Sequence, residues 1–184
     1  METQDYLQRC DRCGFEHSNS KRLARCPECR RTLKYMYERV GGVAPSDFSE
    51  RGIRGLWRFH RLLPVSDLRS IVTLGEGGTP LNESQRLPRT LGFSGRLFLK
   101  DETQNCTGTN KDRPATLEVA KTLESGVEAI DVASDGNAGP AVAAYSARLG
   151  LECIVVMPDN THRSKEILRR CYSARDLFWL GIVV

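Results

Sequence analysis

The chain has 184 residues, 40% hydrophobic and 27% charged, enough to bury one medium-sized core and carry a small appendage. Its net charge of +4 is mildly basic; it neither requires nucleic acid nor excludes an anionic substrate. No apolar run reaches the roughly 18 to 20 residues of a membrane span. The opening METQDYLQRC lacks the apolar stretch of a signal peptide, so a cytoplasmic location with reduced thiols and no membrane partner is expected.

Residues 1–35 hold four of the seven cysteines, Cys10 and Cys13 followed by Cys26 and Cys29. Two C-x-x-C pairs place four sulfurs on two tight turns, the donor set of a tetrahedral Zn2+ ribbon. Such a site is closed by protein ligands and is structural rather than catalytic. Arg12, Arg25, Arg30 and Arg31 would offset the surplus negative charge of four thiolates. Two disulfides, or unrelated reduced thiols, remain as alternatives. His17 lies between the pairs and reads as an exposed loop residue. No aromatic stacking pattern accompanies the ribbon, so nucleic acid is not an expected partner.

Residues 36–55 carry Gly, Pro and mixed charge without periodicity and read as a linker. Trp57, Phe59, Leu62 and Leu63 form an apolar cluster expected to pack on the main domain, with Trp57 in the core. LGEGGTPL at 74–81 is glycine-rich backbone able to approach a ligand closely. Next comes LFLKDETQNCTGTNKDR at 97–113. An apolar strand (Leu97, Phe98, Leu99) feeds a polar loop that delivers Lys111 ahead of a helix, which Asp112 and Pro114 are placed to open. An amine held there, partly desolvated at the positive end of a helix, is disposed to attack carbonyls.

That helix, lined by Leu117, Ala120, Lys121 and Leu123, should end near Gly126. A strand around Ala129, Ile130 and Val132 then leads into ASDGNA at 133–138. A small-residue helix follows, closed by Gly150, and Leu151–Met157 reads as another strand. Two successive βα units imply a parallel sheet covered by helices, with the Lys111 and Asn137 loops on one rim at the carboxyl ends of the strands. Beyond Asn160, THRSKEILRRCYSARD reads as a basic amphipathic helix with Ile167, Leu168 and Cys171 inward, and LFWLGIVV as a closing strand. The apolar end reads as that of a truncated chain.

Together these stretches resemble fold-type II pyridoxal-phosphate enzymes, most closely the threonine synthase family. The resemblance rests on four ordered motifs: LGEGGTPL, the Lys111 stretch, ASDGNA and LECIVVMP at 151–158. The WRFHRLLP run before the first of them is also similar, and about residues 50–160 are covered. The fold it implies is α/β, a parallel sheet with flanking helices preceded by a small zinc ribbon. The divisions are 1–35 ribbon, 36–55 linker and 56–184 the N-terminal part of a catalytic domain.

The resemblance further implies that Lys111 carries pyridoxal 5'-phosphate as a Schiff base and that Asn137 hydrogen-bonds the cofactor's ring oxygen. Ser134, Gly136 and Ala138 would bind the carboxylate of a small amino-acid substrate. The implied reaction is a carbon–oxygen lyase step converting O-phosphohomoserine to threonine and phosphate, in threonine biosynthesis, with a homo-oligomer compatible. Asn110 stands where the family has Phe, and Asp135 where it has Ser or Thr. The family's glycine-rich loop for the cofactor phosphate lies beyond residue 184. Two other readings stay open: a related enzyme acting on serine-, threonine- or cysteine-type substrates, and an inactive remnant acting at most as a zinc-ribbon binding module.

Overall fold

The computed structural model describes residues 6–18, 23–37, 44–48 and 54–179. Three strands, β1 (Tyr6–Arg9), β2 (Glu16–Ser18) and β3 (Lys34–Tyr37), form an antiparallel sheet with β1 in the centre. The two C-x-x-C turns project from it, and the ribbon's apolar interior is little more than Cys10, Cys26 and Leu33, backed by Phe15, Leu23 and Cys29. Too small to hold a fold by apolar burial alone, this cluster needs a staple.

The ribbon is tied to the main domain by polar contacts. Tyr6, 4% exposed, accepts hydrogen bonds at its hydroxyl from Lys121 Nζ (2.6 Å) and Ser66 Oγ (3.2 Å). Lys121 also pairs with Glu124, whose other carboxylate oxygen accepts the backbone N–H groups of Ser66 (2.6 Å) and Asp67 (2.7 Å). Lys121 and Glu124 belong to α2 (Asp112–Glu124), the helix that Lys111 precedes.

The segment Gly55–Leu62 is 3-10 helical. It buries Trp57, whose Nε1 donates to Thr116 Oγ1 of α2 at 3.0 Å, so this residue belongs to the core as expected. Gly55 adopts φ +66°, and a Cβ there would lie 2.0 Å from the Glu76 carbonyl oxygen, the atom that accepts the Leu56 N–H at 2.9 Å. Gly92 has a similar φ of +64° with nothing within 4 Å. Gly92→Ala should therefore show only the left-handed backbone cost of about 1–2 kcal/mol. Gly55→Ala adds a backbone clash and should lose at least about 2 kcal/mol more in urea unfolding.

Helix α1 (Leu87–Thr90) separates β4 (Leu81–Ser84) from β5 (Leu97–Lys100). These two strands pair antiparallel in a sheet of their own. The strand before Lys111 thus lies outside the parallel sheet, contrary to the sequence expectation. A short apolar run does not reveal its partner, and here the LNES segment just after the glycine-rich motif, returning through α1, supplies it.

The parallel sheet consists of β6 (Ala129–Ala133), β7 (Glu152–Pro158) and β8 (Arg175–Trp179), with β7 central. Alternation along β7 turns Cys153, Val155 and Met157 toward α3 (Ala138–Leu149). The small side chains of α3 let it pack closely: every residue from Gly139 to Ser146 is buried, against the sheet on one side and α2 on the other. The last helix is α4 (Arg163–Cys171). Its inward residue is Arg169, 0% exposed, whereas Ile167 is 52% exposed and Cys171 is also exposed, which corrects the amphipathic reading. Arg169 Nε donates to Asp176 of β8 at 3.0 Å, and this pairing across the turn between α4 and β8 sets the helix rotation.

Candidate functional site

The loop from β5 to α2 is held by its own side chains. Asn105, 5% exposed, donates through Nδ2 to Glu102 O, Glu102 Oε2 and Thr109 O, and accepts the Gly77 N–H at Oδ1 (3.0 Å). It thereby joins this loop to the glycine-rich motif. Asp112 does not cap α2: fully buried, it accepts from the Thr107 hydroxyl (2.6 Å) and backbone N–H. Helix α2 has Lys111 at its N-cap position with no side-chain cap. Lys111 N–H donates to Thr109 Oγ1 at 3.1 Å. The Lys111 side chain is exposed rather than partly desolvated, and its Nζ has no partner among the described residues.

Glu76, at the centre of LGEGGTPL, is 0% exposed. Its Oε2 accepts from Thr73 Oγ1 (3.0 Å), Leu74 N (3.0 Å) and the Tyr145 hydroxyl of α3 (2.9 Å). Burial, then the charges of Glu76 and Asp112, raise the Tyr145 phenol far above its ordinary range, so it stays a neutral donor. Tyr145 thus links the glycine-rich motif to α3, two turns beyond Asn137. A second brace runs from Arg113 to Glu102 (2.7 and 2.8 Å), with Thr79 Oγ1 donating to the same carboxylate (2.7 Å). The Arg113 guanidinium holds the Glu102 carboxyl down at about 2. Sequence reading passed over Glu76, Glu102, Asn105, Arg113 and Tyr145. The polar residues at short spacings around 101–112, typical of side-chain-built turns, were the available signal.

The ASDGNA loop leaves the carboxyl end of β6. Ser134 N–H pairs with Val156 O (2.9 Å), while Ser134 Oγ accepts the N–H groups of Gly136 (3.2 Å) and Gly139 (3.1 Å). Ala138 opens α3, and Asn137 sits at its N-cap, where its Oδ1 accepts a hydrogen bond from Lys165 Nζ of α4. Asp135 is exposed. A mainly apolar groove of about 300 Å³ lies along the carboxyl ends of the three strands, bordered by Ser134, Asp135, Met157, Pro158 and Trp179. This is where open α/β sheets receive ligands.

In the ribbon, the Sγ atoms of Cys10, Cys13, Cys26 and Cys29 all lie within 4.8 Å of one another. Cys10 is 3.4 Å from Cys29, and Cys13 is 3.5 Å from Cys26. His17 lies in β2 outside this cluster. Hydrogen bonds from the Cys13 and Arg12 backbone draw the Cys10 thiol down to about 6. The Phe15 N–H acts the same way on Cys13, but burial and the three neighbouring sulfurs outweigh it and push that thiol up to about 12. Four cysteine sulfurs grouped this closely are a donor set that suits a tetrahedral metal ion.

The Lys111 turn leads into α2 and the ASDGNA loop, at the rim of the parallel sheet, leads into α3, and these two helices pack together. The family model of pyridoxal-phosphate dependent enzymes matches residues 72–178, and the chain belongs to that family. Its curated relatives include the threonine synthase of Methanocaldococcus jannaschii, 40% identical over 156 residues, which are 84% of this chain and 38% of that protein. The threonine synthase of Methanosarcina acetivorans is 35% identical over 153 residues, 83% of this chain and 37% of that one. Among solved structures, a pyridoxal 5'-phosphate-dependent aspartate racemase superposes with a TM-score of 0.52 at 29% identity, over 54% of this chain and 32% of that one. The chain thus spans under two-fifths of the length of these curated relatives. Among the described residues no helix is long and apolar enough to cross a membrane.

Proposed function

We propose that this chain is the amine-bearing part of a threonine synthase-type lyase that binds pyridoxal 5'-phosphate and converts O-phosphohomoserine to threonine and phosphate. The observation that carries the reading is the unpartnered, exposed Lys111 amine on a turn whose backbone is locked by Asn105, Thr107 and Asp112. A group presented this way fits an aldehyde cofactor, because the amine is free and its tether is preorganised. Bound there, pyridoxal phosphate supplies an electron sink for carbanion chemistry. Lys111 would hold it covalently through Nζ and then shuttle protons at that same atom.

Asn137 would hydrogen-bond the cofactor ring oxygen. Ser134, Gly136 and Ala138 would receive the substrate carboxylate at the start of α3. The N–H groups of Ser134, Gly136 and Gly139 already have partners and Pro140 has none to give, so the donors left for a carboxylate are the Ser134 hydroxyl proton and the Ala138 N–H. The main domain, residues 56–184, would carry this chemistry, with 36–55 as the linker. In the ribbon at 1–35, Cys10, Cys13, Cys26 and Cys29 would hold a structural zinc ion.

The test is phosphate release from O-phosphohomoserine by the purified protein, with and without added pyridoxal phosphate. Cofactor-dependent release that disappears in Lys111→Ala supports the proposal. Release that survives Lys111→Ala contradicts it.

A further inference from the structure

We propose that Lys165 is a positioning residue that fixes which end of the Asn137 amide is offered to a ligand. Lys165 Nζ donates to Asn137 Oδ1. An ammonium group has donors and no acceptor, so rotating the amide by half a turn would set two donors face to face. With Oδ1 committed to α4, the group left for a ligand is Nδ2, a donor only. This point of the loop then takes a ligand oxygen that accepts a hydrogen bond, an anionic one best, and disfavours a ligand N–H.

The helix that carries Lys165 is held in rotation by a separate contact. Arg169 lies one turn beyond Lys165 on the same face, fully buried and bonded to Asp176. Its Cδ packs on Gly139, where a Cβ would lie 3.0 Å away, and Gly139 is two residues past Asn137. The same face of α4 therefore clamps the start of α3 through Arg169 and reaches its N-cap through Lys165. At the head of α4, Lys165 N–H bonds His162 O at 2.9 Å, and His162 Nδ1 accepts from Ser164 N at 3.3 Å, which fixes the first turn.

The inference deepens the reading of Asn137 as the ring-oxygen donor and rests on it for the identity of the ligand, while the amide orientation is a property of the unliganded chain. The test therefore has two arms. In the ¹⁵N-labelled unliganded chain, the Asn137 Nδ2H2 resonances should move or broaden in Lys165→Met and return toward the wild-type position in Lys165→Arg, which keeps a donor. Asn137 resonances in Lys165→Met that superimpose on those of the wild type overturn the proposal. In the second arm, pyridoxal phosphate is titrated and the adduct trapped with borohydride. Lys165→Met should weaken binding about tenfold and shift the absorbance of the bound cofactor, with Lys165→Arg restoring both. Unaltered binding and absorbance overturn the role toward the cofactor. A wild-type chain that takes up no pyridoxal phosphate counts against the proposed function instead, and the amide resonances still decide the orientation.

Discussion

Replacing Cys26 by serine is expected to abolish binding of the proposed zinc ion and to unfold the ribbon. Cys26 is 0% exposed, and Cys10, Cys26 and Cys29 make up half of the small cluster that forms the ribbon interior. Losing a thiolate therefore removes core and ligand together. A structural zinc site contributes about 10–16 kcal/mol in small domains, far more than this interior can supply by burial. The loss should extend beyond the ribbon. Without β1 in place, Tyr6 withdraws from Lys121 and Ser66, leaving the Lys121–Glu124 pair of α2 newly exposed to water. Metal analysis should fall from one ion per chain to none, and amide exchange in β1–β3 should rise to unprotected rates. A Cys26→Ser chain that keeps those amides protected would show the ribbon to be stable without metal.

Arg169→Met is the second substitution with a large expected cost. The Arg169 and Asp176 side chains are 0% and 4% exposed, and removing one partner strands the other as a buried charge. Such losses run to about 3–5 kcal/mol. Arg170 also reaches Asp176 at 3.1 Å, but its side chain is 60% exposed and offsets only part of this. The urea midpoint should drop with little change in slope. Adding Asp176→Asn should recover much of the loss, because the double variant no longer buries an unpaired carboxylate. A loss below about 1 kcal/mol for Arg169→Met alone would mean that Asp176 finds water or Arg170 in its place.

What the sequence made legible were features written locally. Cysteine spacing placed the four sulfurs on two turns, and the small-residue run closed by Gly150, at φ +70°, marked α3. The misreadings involve partners distant in the chain. In α4 the apolar residues suggested an inward face of Ile167, Leu168 and Cys171, but Arg169 turns inward to meet a carboxylate on β8. Asp112 stood where a helix cap belongs, yet its carboxylate reaches back to Thr107. Leu97–Leu99 looked like a strand of the parallel sheet and pairs instead with Asn82–Ser84 of β4, leaving Phe98 42% and Leu99 49% exposed. Lys165 gave no signal beyond lying four residues before an arginine on a basic helix, because its partner Asn137 is 28 residues away.

If Lys111 is the amine that takes up the cofactor, incubating the chain with pyridoxal phosphate, reducing with borohydride and mapping the modified peptide by mass spectrometry should find a single phosphopyridoxyl group on Lys111, absent from Lys111→Ala. Labelling that falls on Lys100, Lys165 or other lysines, or that persists unchanged in Lys111→Ala, would contradict that assignment.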